Sequence, residues 1–175
     1  MFSKLARPCF AECGGFMYLL ERFQAASGEI YEWTGAISGE TFMTAKLNRF
    51  GYITLTAESD NVFCKIGEKI NGHEFHYSDS NNNGHDFLAL KASGISEWSC
   101  SHANKVLYAG YPHIHLWGNI NFARNFIRAC DEFAKRVYRE TDGRVNIEVY
   151  HGDTLGAGNC KGTSVGTDFI LFIWN

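Results

Sequence analysis

The apolar residues near the start of the chain change from a strand-like run to a helix-like spacing, and a pair of glycines marks the change. Residues 7–12 predict a short buried strand. From Gly14 to about Ala25, Phe16, Leu19, Leu20 and Phe23 recur at helical spacing, which predicts a helix that ends before Gly28. The sequence therefore predicts a strand, a sharp turn and a helix around Cys13.

The middle of the chain is strand-like, and one long helix follows it. Clusters of Ser, Asn and Gly favour turns, so SDSNNNG at 78–84 predicts a loop. Asn119 is predicted to cap a helix to about Arg139, because apolar residues recur there every three or four positions. Strands are predicted over residues 41–47, 51–59, 61–66, 72–78, 87–92 and 105–111.

The composition changes near Thr141, where a segment with six glycines begins. Two further strands are predicted in it, over 146–151 and 168–174. GAGNCKGT at 156–163 resembles a phosphate loop, but Lys161 precedes Gly162, so we interpret it as a glycine-rich turn. We predict a division between residues 1–140 and an unassigned tail over 141–175.

Composition and charge narrow the classes of function. The chain has 175 residues, of which 45% are hydrophobic, enough for a substantial core. A net charge of −3 without a basic stripe argues against nucleic acid and membrane partners. The six cysteines form no C-x-x-C pair and no secretory signal pattern precedes them, so we expect reduced thiols and a cytoplasmic location.

Cys13 is the candidate nucleophile, within FAECGGFMY at 10–18. A lone cysteine is usually a small buried hydrophobe, but two glycines after a strand are typical of a nucleophile elbow. A free thiol has a pKa of about 8.5, so a neighbouring base is needed to form the thiolate at neutral pH. YPHIH at 111–115 offers His113 and His115, and the spacing leaves the choice between them open.

A second interpretation of the histidines is a metal site in a β-rich protein. His73, His76, His113 and His115 lie on strand-like segments, and imidazole is a common metal ligand. Since side chains alternate along a strand, His73 and His76 are predicted to face opposite sides. The motif is weak, and we predict no metal ligands.

Three motifs occur in order, and together they carry a family resemblance: FAECGGFMYL at 10–19, GHEFHYS at 72–78 and YAGYPHIHLWGN at 108–119. They resemble the C-terminal glutamine amidotransferase domain of the cobyrinate a,c-diamide synthase family, over about residues 7–135. MTAKLNRFGY at 43–52 is similar to the stretch between the first two motifs. The resemblance implies that residues 1–140 form a partial class I amidotransferase domain with an α/β fold. This fold would have a flavodoxin-like mixed sheet with a nucleophile elbow, and extra β structure in residues 41–111.

The resemblance also implies roles for individual residues. Cys13 would attack the carboxamide of glutamine, and the backbone N–H of Gly14 would hold the oxyanion. His113 would be the base, in preference to His115, because related cobyric acid synthases carry a single histidine after the tyrosine. Glu74 and His76 would shape the glutamine pocket.

The family further implies a partner that this chain lacks. The ammonia would pass to an ATP- and magnesium-dependent synthetase domain, which amidates the a and c carboxylates of a corrinoid. We expect no cofactor in this chain. The first half of the amidotransferase domain, which carries a second oxyanion donor, is missing too, so we expect weak or absent activity and an unpaired edge on the nucleophile strand. An inactive truncated relic is the alternative.

Overall fold

The computed structural model describes residues 7–147, which form a mixed α/β fold. Its helices are α1 (Gly14–Leu19) and α2 (Ile120–Glu140), and a 3-10 turn covers Leu116–Gly118. The strands of the described residues are β1 (Cys9–Glu12), β2 (Arg22–Gln24), β3 (Ile30–Glu32), β4 (Glu40–Met43), β5 (Arg49–Ala57), β6 (Lys69–His76), β7 (Ser78–Ser80), β8 (Phe87–Lys91), β9 (Glu97–Cys100), β10 (His102–Ala103), β11 (Leu107–Gly110) and β12 (His113–Ile114).

The strands form three sheets, with the orders β1-β11-β10, β12-β6-β5-β8-β9 and β3-β2-β4-β7. The pairs β1–β11 and β2–β4 are parallel, and the other pairs are antiparallel. The prediction of a mixed α/β fold with extra β structure is confirmed, and the strands are distributed over three sheets. Within residues 7–147, β1 pairs only with β11 and therefore lies at a sheet edge.

Two apolar clusters support the strands that carry the candidate site. The larger cluster packs under the five-stranded sheet and contains Leu55, Phe63, Phe87, Tyr108 and Phe122, each almost fully buried. The smaller cluster joins β1, α1 and β11 and is made of Ala11, Phe16, Leu20, Ile37, Leu107, Ala109 and Tyr111, with Cys13 packed against it. The turn at Cys13 therefore rests on a packed base.

The first helix is shorter than predicted. α1 ends at Leu19, and residues 22–24, predicted as helix, form β2. The backbone explains the difference: Glu21 donates its N–H to the Gly39 carbonyl at 2.8 Å and accepts the N–H of Trp33 at 2.8 Å. Long-range pairing with β3 and β4 overrides the local helical spacing.

The predicted strand over 61–66 is wrong. The Asn61 side-chain oxygen accepts the backbone N–H groups of Phe63 at 3.0 Å and Cys64 at 3.2 Å, which closes a local turn. The predicted loop over 78–84 is wrong at its start, because Ser78–Ser80 forms β7 against β4. The strands β2, β3, β9, β10 and β12 were not predicted.

The predicted long helix is confirmed as α2. The Asn119 side chain accepts the N–H of Asn121 at 3.2 Å, as an N-cap should. The chain divides into two compact units at residues 126 and 127. The predicted boundary at 140/141 stays a prediction, and the predicted strand over 168–174, the turn over 156–163 and most of the strand over 146–151 lie outside the described residues. No helix of residues 7–147 has the length and apolar character needed to cross a bilayer.

Candidate active site

Cys13 lies on the turn between β1 and α1, with a backbone that few side-chain-bearing residues adopt. Its φ is 47° and its ψ is −108°. The turn is held from both sides: the Cys13 N–H donates to the Gly110 carbonyl at 2.9 Å, and the Cys13 carbonyl accepts the N–H of Met17 at 2.9 Å. A partly exposed cysteine in a conformation of this kind is typical of residues placed for function.

The two glycines after Cys13 leave the turn open. A Cβ atom at Gly14 would meet no other atom within 4 Å, and one at Gly15 would meet only Ala11, at 3.6 Å. The backbone N–H groups at the start of a helix have no partner inside it. Space for a ligand therefore exists beside the Gly14 amide.

His113 contacts both Cys13 and the residue before it. His113 lies on β12 and hydrogen-bonds to the Cys13 side chain, while its Nδ1 lies 3.4 Å from Oε2 of Glu12. These contacts raise the pKa of His113 to about 10, and the contact with Cys13 contributes more than the contact with Glu12. Burial of the ring opposes the rise. The arrangement favours an imidazolium beside the sulfur.

Glu12 also binds the backbone next to His113. Its Oε1 accepts the N–H of Ile114 at 2.7 Å, while its Oε2 faces the His113 ring. One carboxylate thus contacts two successive residues of β12. Glu12 was not predicted as a site residue: it directly precedes Cys13, but nothing in the sequence places it against a residue about a hundred positions later.

The other histidine of the YPHIH motif is placed differently. β12 ends at Ile114, and His115 directly precedes the 3-10 turn, with its N–H donated to the Asn71 carbonyl at 2.8 Å. Its Nδ1 lies beside Gly118, 3.6 Å from where a Cβ would stand there. The structure therefore groups His113, rather than His115, with Cys13 and Glu12.

His73 and His76 lie on opposite faces of β6, as the alternation of a strand requires. The ring of His73 stacks on that of His113, with centroids 4.9 Å apart and planes 14° apart. Burial, followed by the charge of His113, lowers the pKa of His73 and keeps this ring neutral. Within residues 7–147, no three His, Cys, Asp or Glu side chains are arranged to hold a metal ion.

Glu74 and His76 share the buried face of β6, and each has a polar atom without a protein partner. These atoms are Oε2 of Glu74 and Nε2 of His76, in residues that are 3% and 5% exposed. Burial raises the pKa of Glu74 to about 7 and lowers that of His76. Since Nδ1 of His76 lies 2.8 Å from the Ser78 carbonyl, it carries the proton of the neutral ring, and Nε2 remains an acceptor.

Aromatic packing connects this buried pair to the nucleophile side. The Tyr111 ring stacks on His76 with a centroid distance of 4.0 Å and meets Phe16 of α1 edge-on at 5.2 Å. The Tyr111 hydroxyl hydrogen-bonds to Thr41 at 2.9 Å. Tyr111 thus fixes the position of β6 relative to the helix that follows Cys13. Trp98, which hydrogen-bonds to the Glu74 side chain, was not predicted as a neighbour of the site.

A comparison with known families matches most of the described chain. The model of CobB/CobQ-like glutamine amidotransferase domains matches residues 2–120. This range contains the Cys13 turn, both strands that carry Glu74 and His113, and all residues placed in the candidate site.

Several curated proteins that are similar to the chain share one name, cobyrinate a,c-diamide synthase. The cobyrinate a,c-diamide synthases of Caldanaerobacter subterraneus subsp. tengcongensis and Picrophilus torridus are 34% and 38% identical, over 131 and 130 residues. Each alignment covers 74% of this chain, but 29% and 27% of those proteins. The protein of that name from Fusobacterium nucleatum subsp. nucleatum is 40% identical over 117 residues, which are 64% of this chain and 25% of that protein. The chain thus spans little more than a quarter of the relatives it matches.

Proposed function

The chain belongs to the family of CobB/CobQ-like glutamine amidotransferase domains, and on that premise we propose that it carries the glutamine-hydrolysing site of a cobyrinate a,c-diamide synthase. The observation that carries the proposal is the hydrogen-bonded group of Cys13, His113 and Glu12 at the turn between β1 and α1. We interpret this turn as a nucleophile elbow on a partial flavodoxin-like sheet. The strand–turn–helix geometry and the positive φ of Cys13 support that interpretation.

In the first half of the proposed reaction, the Cys13 thiolate attacks the carboxamide carbon of glutamine. The backbone N–H of Gly14 hydrogen-bonds to the oxyanion that forms on the carboxamide oxygen. The His113 imidazolium then gives its proton to the departing nitrogen, the carbon–nitrogen bond breaks, and ammonia leaves. The product is a glutamyl thioester on Cys13 with a neutral His113.

In the second half, water replaces ammonia as the reacting molecule. Neutral His113 takes a proton from a water molecule as that water attacks the thioester carbon. The carbon–sulfur bond breaks, glutamate is released, and Cys13 returns to the thiolate beside the His113 imidazolium. The raised pKa of His113 favours this resting state.

Glu74 and His76 are assigned to the binding of glutamine rather than to proton transfer. Each presents a buried polar atom without a protein partner, and an unpaired buried polar group costs about 1–3 kcal/mol. A ligand that pairs with them recovers that free energy. The glutamine head carries both an ammonium group and a carboxylate, so it offers partners to an acceptor nitrogen and to a partly protonated carboxyl group.

The ammonia is proposed to serve an amidation elsewhere in the complete protein. By the name of its relatives, the acceptor is a corrinoid, whose a and c carboxylates become amides. ATP and magnesium would activate those carboxylates in the synthetase part, and no residue described here is assigned to them.

An electrophilic glutamine analogue tests the proposal. We expect 6-diazo-5-oxo-norleucine to label the 175-residue chain at Cys13, as read by mass spectrometry, and Cys13→Ala to abolish the label. Cys9→Ala is the matched control, because Cys9 is the other partly exposed cysteine of the described residues and lies on the same strand. Absence of label on folded wild-type protein would contradict the proposal and support an inactive relic.

A further inference from the structure

We propose that Glu12 is a positioning residue, whose carboxylate holds the His113 ring against the Cys13 sulfur. The proposal rests on the proposed function of the Cys13–His113 pair and adds a third member to it. Oε1 of Glu12 accepts the Ile114 N–H at 2.7 Å, and Oε2 lies 3.4 Å from Nδ1 of His113. Because one oxygen is anchored to the backbone of β12, the other is fixed in front of the ring.

The position of Glu12 in the sequence makes the arrangement rigid. Glu12 is the last residue of β1 and Cys13 is the first residue of the turn, so the carboxylate and the sulfur stand on consecutive residues. β1 belongs to the three-stranded sheet, whereas β12 is an edge strand of the five-stranded sheet. Glu12 therefore ties together two sheets at the point where the nucleophile and its base must stay in register.

Glu12 also supplies a negative charge in contact with the His113 ring. Glu12, Cys13 and His73 contact this ring, and Glu74 and His76, on the other face of β6, interact with it electrostatically. His73 is held neutral, and burial favours the uncharged forms of Glu74 and His76. The counter-charge of the imidazolium is thus divided between the thiolate and Glu12.

This division matters most in the second half of the reaction. While the thioester exists, the sulfur carries no negative charge, yet attack by water converts His113 to the imidazolium again. Glu12 is then the remaining anion in contact with the ring. An opposite charge within a few ångströms typically shifts a pKa by about 1–3 units, so its removal weakens His113 as a base at that step.

The variant Glu12→Gln tests the proposal, because glutamine keeps an oxygen for the Ile114 N–H and loses only the charge. We expect the NMR titration of the His113 imidazole to move to lower pH by about one unit or more, because the charge that faces its Nδ1 is gone. Glutaminase kcat should fall roughly tenfold or more, with little change in KM for glutamine. Glu97→Gln is the control, since Glu97 lies on β9, at the edge of the five-stranded sheet opposite β12.

A second measurement does not depend on folding of the Glu12 variant. In Cys13→Ser, NMR titration of the His113 imidazole should still give a pKa above the ordinary value of about 6.5, because Glu12 remains. An ordinary value there, or superimposable His113 titrations for Glu12→Gln and wild type, would overturn the proposal. The titration needs no glutamine, so these results stand apart from the labelling test of the amidotransferase function.

Discussion

Two regions of the site differ in what shifts the pKa values of their side chains. The first region is the group of Cys13, Glu12 and His113, and the second is the pair of Glu74 and His76. In the first, contacts between the side chains outweigh burial and raise the pKa of His113. In the second, burial dominates: it raises the pKa of Glu74, lowers that of His76, and leaves a polar atom of each without a protein partner. Under the proposed function, the first region would hold an ion pair for chemistry and the second would receive a ligand.

The largest effect is expected from removing the base of the first region. His113→Gln should lower the rate of glutamate release by about 10²–10⁴, because a positioned general acid and base typically contributes that factor. His115→Gln should leave the rate within a few-fold, since His115 directly precedes the 3-10 turn and its ring lies beside Gly118. Steady-state glutaminase assays of the two variants measure this contrast. Equal losses in both would show that the two histidines were assigned incorrectly.

The second region predicts a pH dependence of stability. The pKa of Glu74 is about 7 in the folded chain and about 4.5 when exposed, so its contribution to stability is fully present below pH 4.5 and is lost as pH rises through 7. The loss amounts to at most about 3.4 kcal/mol, at about 1.4 kcal/mol for each unit of pKa. Glu74→Gln stays neutral and avoids it, so the variant should gain stability relative to wild type between pH 5 and pH 8.

Urea unfolding of wild type and Glu74→Gln at both pH values measures this gain. Other groups, His76 among them, titrate in the same range, but they do so in both proteins and cancel in the difference. Glu97→Gln serves as the control, because this exposed carboxylate has no buried environment to escape. A difference between wild type and Glu74→Gln that does not change with pH would show that Glu74 is not held neutral by burial.

The sequence predicted the chemistry of the first region better than its surroundings. Cys13 and YPHIH carry local signals, a glycine pair and a proline, whereas Glu12 becomes significant only when β1 and β12 meet. Likewise, helical spacing over 14–25 missed β2, because the partners of its backbone lie in β3 and β4. The turn at Asn61 was missed for the opposite reason: a side-chain contact within three residues overrode a strand-like composition. Local signals predicted two residues that the structure brings into contact, Cys13 and His113, but long-range pairing decides what surrounds them.

A substitution in β6 should disturb the first region without touching any of its side chains. A Cβ at Gly72 would lie 2.5 Å from the carbonyl oxygen of His113, so Gly72→Ala must push β12 away. We expect a loss of stability of about 1–3 kcal/mol, as for other overpacked sites, together with reduced Cys13 alkylation at neutral pH. Gly118→Ala is the matched control, because its nearest neighbours would be at 3.6 Å. Normal alkylation in a destabilised Gly72→Ala would show that the position of β12 does not matter for the nucleophile.

The smallest expected effect concerns His73, whose ring stacks on that of the proposed base His113. His73 stacks on His113 at 4.9 Å, and an aromatic pair of this kind contributes about 0.5–1.5 kcal/mol. His73→Ala should therefore lower kcat about two- to tenfold at pH 8, by loosening the His113 ring, whereas His73→Phe should preserve it because a ring remains. Measurement of kcat for the three proteins separates stacking from charge. If His73→Phe were as slow as His73→Ala, the imidazole itself would take part in proton transfer. His73 of β6 would then belong to the reacting group together with Cys13 and His113.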